Sequence, residues 1–174
     1  MKRNVLIFGS LIGVLLSINM VYMVYQCYTD PNYNHNIVLA YAIMLVLLSP
    51  VYFGIKNYRD KQLNSIISLG GAFKCGALIV LLGATIYVIT WLFAYYIFVP
   101  DFMDKYTMQE LKRMVSSGAP IAEISRTQKE MESYKEMYKN PFWVIVMTYI
   151  EVLPLGLLVA FISALALKQK SISK

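Results

Sequence analysis

Four stretches of this chain are apolar for about twenty residues or more, from about Val5 to Tyr25, Ile37 to Ile55, Gly76 to Val99 and Phe142 to Leu167. An α-helix rises 1.5 Å per residue, so crossing ~30 Å of hydrocarbon takes ~20 predominantly apolar residues. Peptide groups inside lipid have no water to bond, and a helix pairs all of them within one segment. The expectation is an all-α, polytopic membrane protein with four transmembrane helices, organised as one membrane domain over residues 1–174. Polar interruptions are few: Ser10, Ser17 and Asn19 in the first span, Ser49 and Pro50 in the second.

Composition agrees, since 58% of residues are hydrophobic and only 15% charged, against roughly 25% charged in soluble domains. A formal charge of +6 and a pI near 9.2 do not point to nucleic acid. The basic residues collect at the ends of apolar runs rather than among aromatics on one face. Lys2 and Arg3 ahead of the first run resemble the start of a signal peptide. The run is too long for an apolar signal core, and Gln26 stands where a lipoprotein-type cleavage before Cys27 would want a small residue. A retained helix is therefore expected. Cys27 and Cys75 form no metal-ligand spacing and are placed near opposite membrane faces, so no disulfide is expected between them.

Lys and Arg set the orientation. The amino terminus has Lys2 and Arg3, the loop after span two has Lys56, Arg59, Lys61 and Lys74, and the tail has Lys168, Lys170 and Lys174. The segment from Gln26 to Asn36 has none. Both termini and the middle loop are thus expected in the cytoplasm, in a bacterial inner membrane. Tyrosines at Tyr22, Tyr25, Tyr28, Tyr52, Tyr58, Tyr95 and Tyr96, with Phe142 and Trp143, mark the span ends; Trp91 lies deeper and reads as a packing residue.

Between spans three and four, residues of about 101–139 read as an extracytoplasmic helical hairpin. Asp101 and Asp104 suit a helix start, and Thr107 with Glu110 offers an overlapping capping box. Gly118 and Pro120 mark the turn, with the second helix from about Ile121 to Tyr138 and Asn140–Pro141 opening span four. Leu111, Met114 and Val115 form one apolar stripe, and Ile124, Met131, Tyr134 and Tyr138 another. Charge pairs three apart are expected at Glu110–Arg113, Glu123–Arg126, Glu132–Lys135 and Glu136–Lys139. The stretch from Asn57 to Lys74 reads as interfacial, broken at Gly70 and Gly71.

Glu151 is the ionisable residue well inside a span. An acid at the bilayer centre costs ~2.5 to 3.5 kcal/mol on the insertion scale, so it should face the bundle interior. Thr148 lies one turn back on the same face, and Pro154 one turn ahead removes a helix donor. That constellation fits an ion or proton site. It equally fits a buried acid holding register through Asn19, Thr85, Thr90 or a tyrosine. Small residues recur every four positions at Gly9, Gly13 and Ser17, and at Gly156, Ala160 and Ala164, as helix-packing surfaces. The second set lies nearly opposite Glu151, so with Glu151 facing inward it would be free to meet a neighbouring helix or another subunit. His35 stands alone, and no hydrolase, phosphate-binding or metal motif is present.

GIKNYRDKQLN (54–64), GGAFKCGALI (70–79), YVITW (87–91), DFMDKY (101–106), SGAPIAEI (117–124), KEMESYKEMYKNP (129–141) and MTYIEVLPLGLLVAFISALAL (147–167) together resemble the bacterial membrane proteins of domain of unknown function 4199. Gly71 stands where that family commonly has a polar residue. The resemblance implies a four-span bacterial membrane protein and carries no activity, cofactor or catalytic residue.

The leading expectation is a non-enzymatic scaffold or accessory subunit with no cofactor, no metal and no nucleic-acid partner. Its partners would be the lipid bilayer and a second copy or another membrane protein. The alternative is a small ion- or proton-coupled transporter or channel component using Glu151.

Overall fold

The structure is a computed structural model, and it describes residues 1–30 and 36–168. His35, Lys170 and Lys174 lie outside the described residues. Seven helices follow one another among the rest: α1 Lys2–Thr29, α2 Ile37–Leu48, α3 Pro50–Gln62, α4 Leu69–Phe93, α5 Phe102–Ser116, α6 Ile121–Tyr138 and α7 Pro141–Leu167. Four helical segments are long and apolar enough to span a bilayer: Lys2–Thr29, Ile37–Gln62, Leu69–Phe98 and Pro141–Leu167. They run 26 to 30 residues, longer than the ~20 that the hydrocarbon requires. The first extends beyond Val5–Tyr25 at both ends, the second runs on past Ile55 to Gln62, the third begins at Leu69 rather than Gly76, and the fourth nearly coincides with expectation.

The second span is divided at one residue. Pro50 has no N–H for the carbonyl four residues back, and that carbonyl, on Val46, accepts instead from the Ser49 N–H at 3.1 Å. Ser49 thereby closes α2 while Pro50 opens α3 at its first position. The interfacial segment differs from expectation: Gly70 and Gly71 do not break a helix but lie in the first turn of α4. Ser68 caps that turn by accepting from the Gly71 N–H at 3.2 Å. A serine with extended backbone at this position satisfies a donor that no helical carbonyl can reach.

The centre of the bundle is α4, with α1 along one side and α7 along the other. Small residues make both contacts close. A Cβ placed on Gly13 would stand 2.6 Å from Ile86 Cβ and 3.1 Å from the Gly83 carbonyl oxygen, and one on Gly156 would stand 2.4 Å from Val80 Cγ1. Ala160 and Ala164 are wholly buried in the same core as Ile79 and Val80. The surface from Gly156 to Ala164 is therefore covered by the chain's own α4, so of the two expected occupants, a neighbouring helix or another subunit, it meets the neighbouring helix. Lipid tails are as apolar as leucine, so close backbone approach supplies the dispersion contact that holds such helices together.

Polar side chains pin the two ends of the bundle. At one end the amino terminus bonds the Gln62 side chain. Beside it Asn4 Nδ2 donates to the Gly54 carbonyl at 3.1 Å, and Arg59 donates to the last carbonyl of α7, on Leu167, at 3.3 Å. The chain start, the 63–68 turn and the end of α7 thus gather on one side. At the other end Gln109 of α5 donates to the Cys27 carbonyl at 2.8 Å and accepts from the Cys27 thiol at 3.2 Å. Cys27 and Cys75 are both buried and unbridged.

Helix α5 starts at Phe102 with Asp101 as its cap residue, and Thr107 sits inside it, donating to the Met103 carbonyl at 2.7 Å. The Asp101 carboxylate makes no cap bond; it accepts from the Tyr28 hydroxyl and pairs with Lys105 at 3.5 Å. The helix ends as expected. Gly118 takes a left-handed φ of 73°, its N–H bonds Val115 O at 3.1 Å, and the Ala119 N–H reaches Met114 O at 3.0 Å. These are the paired bonds of a Schellman ending. Of the stripe residues Met114 is buried, whereas Val115 is 64% exposed. Ion pairs form at Glu110–Arg113 and Glu136–Lys139. Arg126 instead takes Glu130, and Lys135 reaches across to Asp104 of α5. A long basic side chain finds whichever carboxylate its rotamers meet, and sequence spacing ranks only those on its own helix.

Candidate functional site

In the half of the bundle near the 99–101 turn, α1, α2, α4 and α7 leave an open cavity of about 410 Å³, with α5 and α6 contributing side chains to its wall. Each helix brings a regular face to it. Asn19, Met20, Met23, Val24 and Cys27 recur at helical spacing on α1, Ile37, Ala40, Tyr41 and Met44 on α2, and Met131, Tyr134 and Tyr138 on α6. Tyr87 and Trp91 come from α4, Met147 and Glu151 from α7. The wall is therefore mostly thioether and aromatic, and Glu151 is the one charged group among its described residues.

A short irregularity directly after α4 shapes the aromatic side. Residues Ala94–Phe98 form a π-helical turn, in which the Val99 N–H bonds back five residues to Ala94 O at 3.0 Å. One extra residue per turn rotates the next side chains relative to a continuous α-helix. Tyr95 is brought onto Trp91 at a ring distance of 5.7 Å and onto Tyr138 at 5.3 Å. Trp91 also meets Phe102 edge-on at 5.2 Å, and Phe102 stacks on Tyr106 at 5.9 Å. Such edge and offset geometries hold rings in place beyond their area burial. Burial pushes the Tyr138 phenol up to about 12; the Glu151 charge adds to the effect, and the Trp91 indole acts against it. Tyr138 is thus a neutral hydroxyl at physiological pH, within electrostatic reach of Glu151.

Glu151 is exposed rather than turned into the bundle core as expected; it lines this open cavity and has no hydrogen bond or ion pair among the described residues. Asn19, Thr85 and Thr90, named as partners for it, are engaged elsewhere. Asn19 Nδ2 donates to Met23 Sδ at 3.7 Å, Thr85 meets the Tyr149 hydroxyl at 2.8 Å, and Thr90 accepts from Ser17 at 3.2 Å. Thr148 is buried and donates to the Val144 carbonyl of its own helix at 2.7 Å, so it does not reach Glu151. Pro154 lies within a continuous α7 one turn further on. The structure therefore brings Glu151 to a cavity and leaves Thr148 and Pro154 as its helical neighbours. Of the small residues, Gly9, Gly13, Gly156, Ala160 and Ala164 are buried, and Ser17 is half-buried on Thr90.

Sequence reasoning missed the wall and the interhelical bonds Thr85–Tyr149 and Ser17–Thr90. The methionines and tyrosines of α1 and α2 repeat at helical spacing, a signal that becomes informative only once their faces are known to turn inward rather than toward lipid. The Thr85–Tyr149 contact has no sequence signature. Among the described residues no cluster of three or more His, Cys, Asp and Glu is placed to hold a metal ion.

A family model described as Protein of unknown function (DUF4199) matches residues 7–169, which includes Glu151 and the faces that line the cavity. No curated protein and no solved structure matches the chain.

Proposed function

Because this chain belongs to the family described as Protein of unknown function (DUF4199), and membership brings no assigned chemistry, we propose its role from the cavity: a small ion- or proton-coupled transport component using Glu151. The observation that carries this reading is a carboxyl at the middle of a membrane-spanning helix, open to a cavity and without a protein partner among the described residues. An acid at that depth is costly unless paired or wetted, and a purely structural acid would be bonded to a neighbouring helix. In this reading Glu151 exchanges a proton or cation with the cavity, and no covalent chemistry is involved. We place the protein in a bacterial inner membrane with both termini cytoplasmic, and α5 and α6 outside as a hairpin. The gathering of Met1, Arg59 and Leu167 at one end of the bundle supports this orientation, because it puts the basic residues together.

A scaffold role is the second reading. It draws on α6, none of whose residues is fully buried and most of whose charged residues are exposed, so its charged face is open to a partner. Substituting Glu151→Gln separates the two. Reconstituted into proteoliposomes with an imposed pH gradient, the wild-type chain is expected to dissipate the gradient faster than empty vesicles. E151Q is expected to assemble normally and lose that flux. Aggregation of E151Q on gel filtration, with wild-type vesicles no leakier than empty ones, would favour the scaffold.

A further inference from the structure

The Glu151 cavity also constrains what it can take. A hard inorganic cation requires a shell of oxygens: calcium takes six to eight and magnesium a near-octahedral set. The described wall offers one carboxylate, one amide and five phenols among thioethers and other rings, so a single charged oxygen donor. Of the other polar side chains in the wall, Asn19 and Cys27 are turned to Met23 and Gln109. A neutral apolar occupant would suit the wall but leave the carboxylate unpaired. An anion would be opposed by the carboxylate.

What complements a single negative charge set among ring faces and polarisable sulfurs is positive charge spread over an apolar body. Aromatic faces attract cations through their quadrupole, and they do so most strongly where water is excluded. Methionine adapts its three torsions to irregular apolar shapes. At about 410 Å³ the cavity is within the ~300 to 1,000 Å³ of small-molecule sites. Tyr134 is 39% exposed and lines the cavity from α6, so its ring is available to a ligand, whereas Trp91 is already committed to Phe102 and Tyr95.

We propose that this cavity is a binding site for lipophilic organic cations, with Glu151 as counter-ion and Tyr134 as one aromatic wall. The inference rests on the reading of Glu151 as the transport site and names its substrate class. The test uses the full chain in nanodiscs of zwitterionic lipid, with tetraphenylphosphonium as the probe and tetraphenylborate, its isosteric anion, as the control. Saturable binding of the phosphonium above empty discs is expected, and none of the borate. E151Q should weaken phosphonium binding by roughly 10-fold or more and E151D should largely restore it, while Tyr134→Leu should weaken it about 5-fold through the lost ring face. Equal binding of both ions, no saturable phosphonium binding, or wild-type affinity in E151Q would overturn the proposal. If E151Q does not assemble, Tyr134→Leu and the borate control decide it by the same criteria. Proton flux in proteoliposomes tells the two failures apart. Flux lost in E151Q without phosphonium binding removes the substrate class and keeps the transport role. Glu151-dependent phosphonium binding without flux removes the transport role and keeps the site.

Discussion

At the scale of single residues, this protein depends on what is missing from its side chains. Gly156 faces Val80 so closely that even a methyl group would overlap it, at 2.4 Å. Gly156→Ala is therefore expected to destabilise the bundle by ~1–3 kcal/mol, the usual cost of overpacking. Adding Val80→Ala should recover part of the loss, because that change removes the obstructing Cγ atoms. Gly70 is the control, since a Cβ there meets nothing within 4 Å. Gly70→Ala should be neutral or stabilising by up to ~1 kcal/mol through the unfolded chain. Thermal unfolding in detergent, followed by the helical signal, checks all three. Equal effects at Gly70 and Gly156 would mean that the α4–α7 contact is looser than described.

At the scale of elements, α5 is held to α1 by a few polar contacts, so its ends are open to local perturbation. Its end depends on a left-handed Gly118 at φ 73°. Gly118→Ala is expected to cost ~1–2 kcal/mol of local stability, read as faster amide exchange over residues 114–119, since a Cβ at that φ crowds the following carbonyl. Its start depends on Asp101. The Tyr28 hydroxyl bonded to Asp101 is the largest influence holding that carboxyl below the usual aspartate range, and Lys105 adds to it. A carboxyl depressed in the folded state gives stability that is present above its unfolded value, near 3.9, and lost as pH falls through the lower folded value. The protection of amides at the start of α5, corrected for their intrinsic exchange rate at each pH, should thus be flat from neutral pH to about 4 and fall below it. An Asp101→Asn variant should show low protection throughout and lose the pH dependence. A wild-type profile that loses protection well above pH 5 would point to a different group.

At the scale of the whole molecule, both faces of α4 are occupied from within, so the bundle closes on itself through small residues while α2 stays peripheral. Exposed residues of α2 such as Val38 and Val46 then meet lipid, and the opening beside Glu151 persists because α2 does not seal it. The proposed orientation is tested with single cysteines at Ser116 and Lys168, both exposed, against a low background because the native thiols are buried. In intact cells a membrane-impermeant maleimide is expected to label Ser116→Cys and to label Lys168→Cys only after the membrane is opened. The reverse pattern would invert the topology.

Much of the architecture is written locally. The four spans, the Schellman turn at Gly118 and the Asn140–Pro141 start of α7 are all legible in the sequence, because hydropathy and capping act within one or two turns of the chain. The prominence of Glu151 is legible for the same reason, as one acid among apolar neighbours. Its surroundings are not. Gly156, Ala160 and Ala164 could serve an internal or an external helix equally well, since lipid and protein present similar apolar surfaces to a transmembrane helix. Which helix lies beside which is decided by fit between distant segments. That fit placed α4 against both small-residue stripes, turned Asn19, Thr85 and Thr90 to other partners, and left Glu151 facing a cavity.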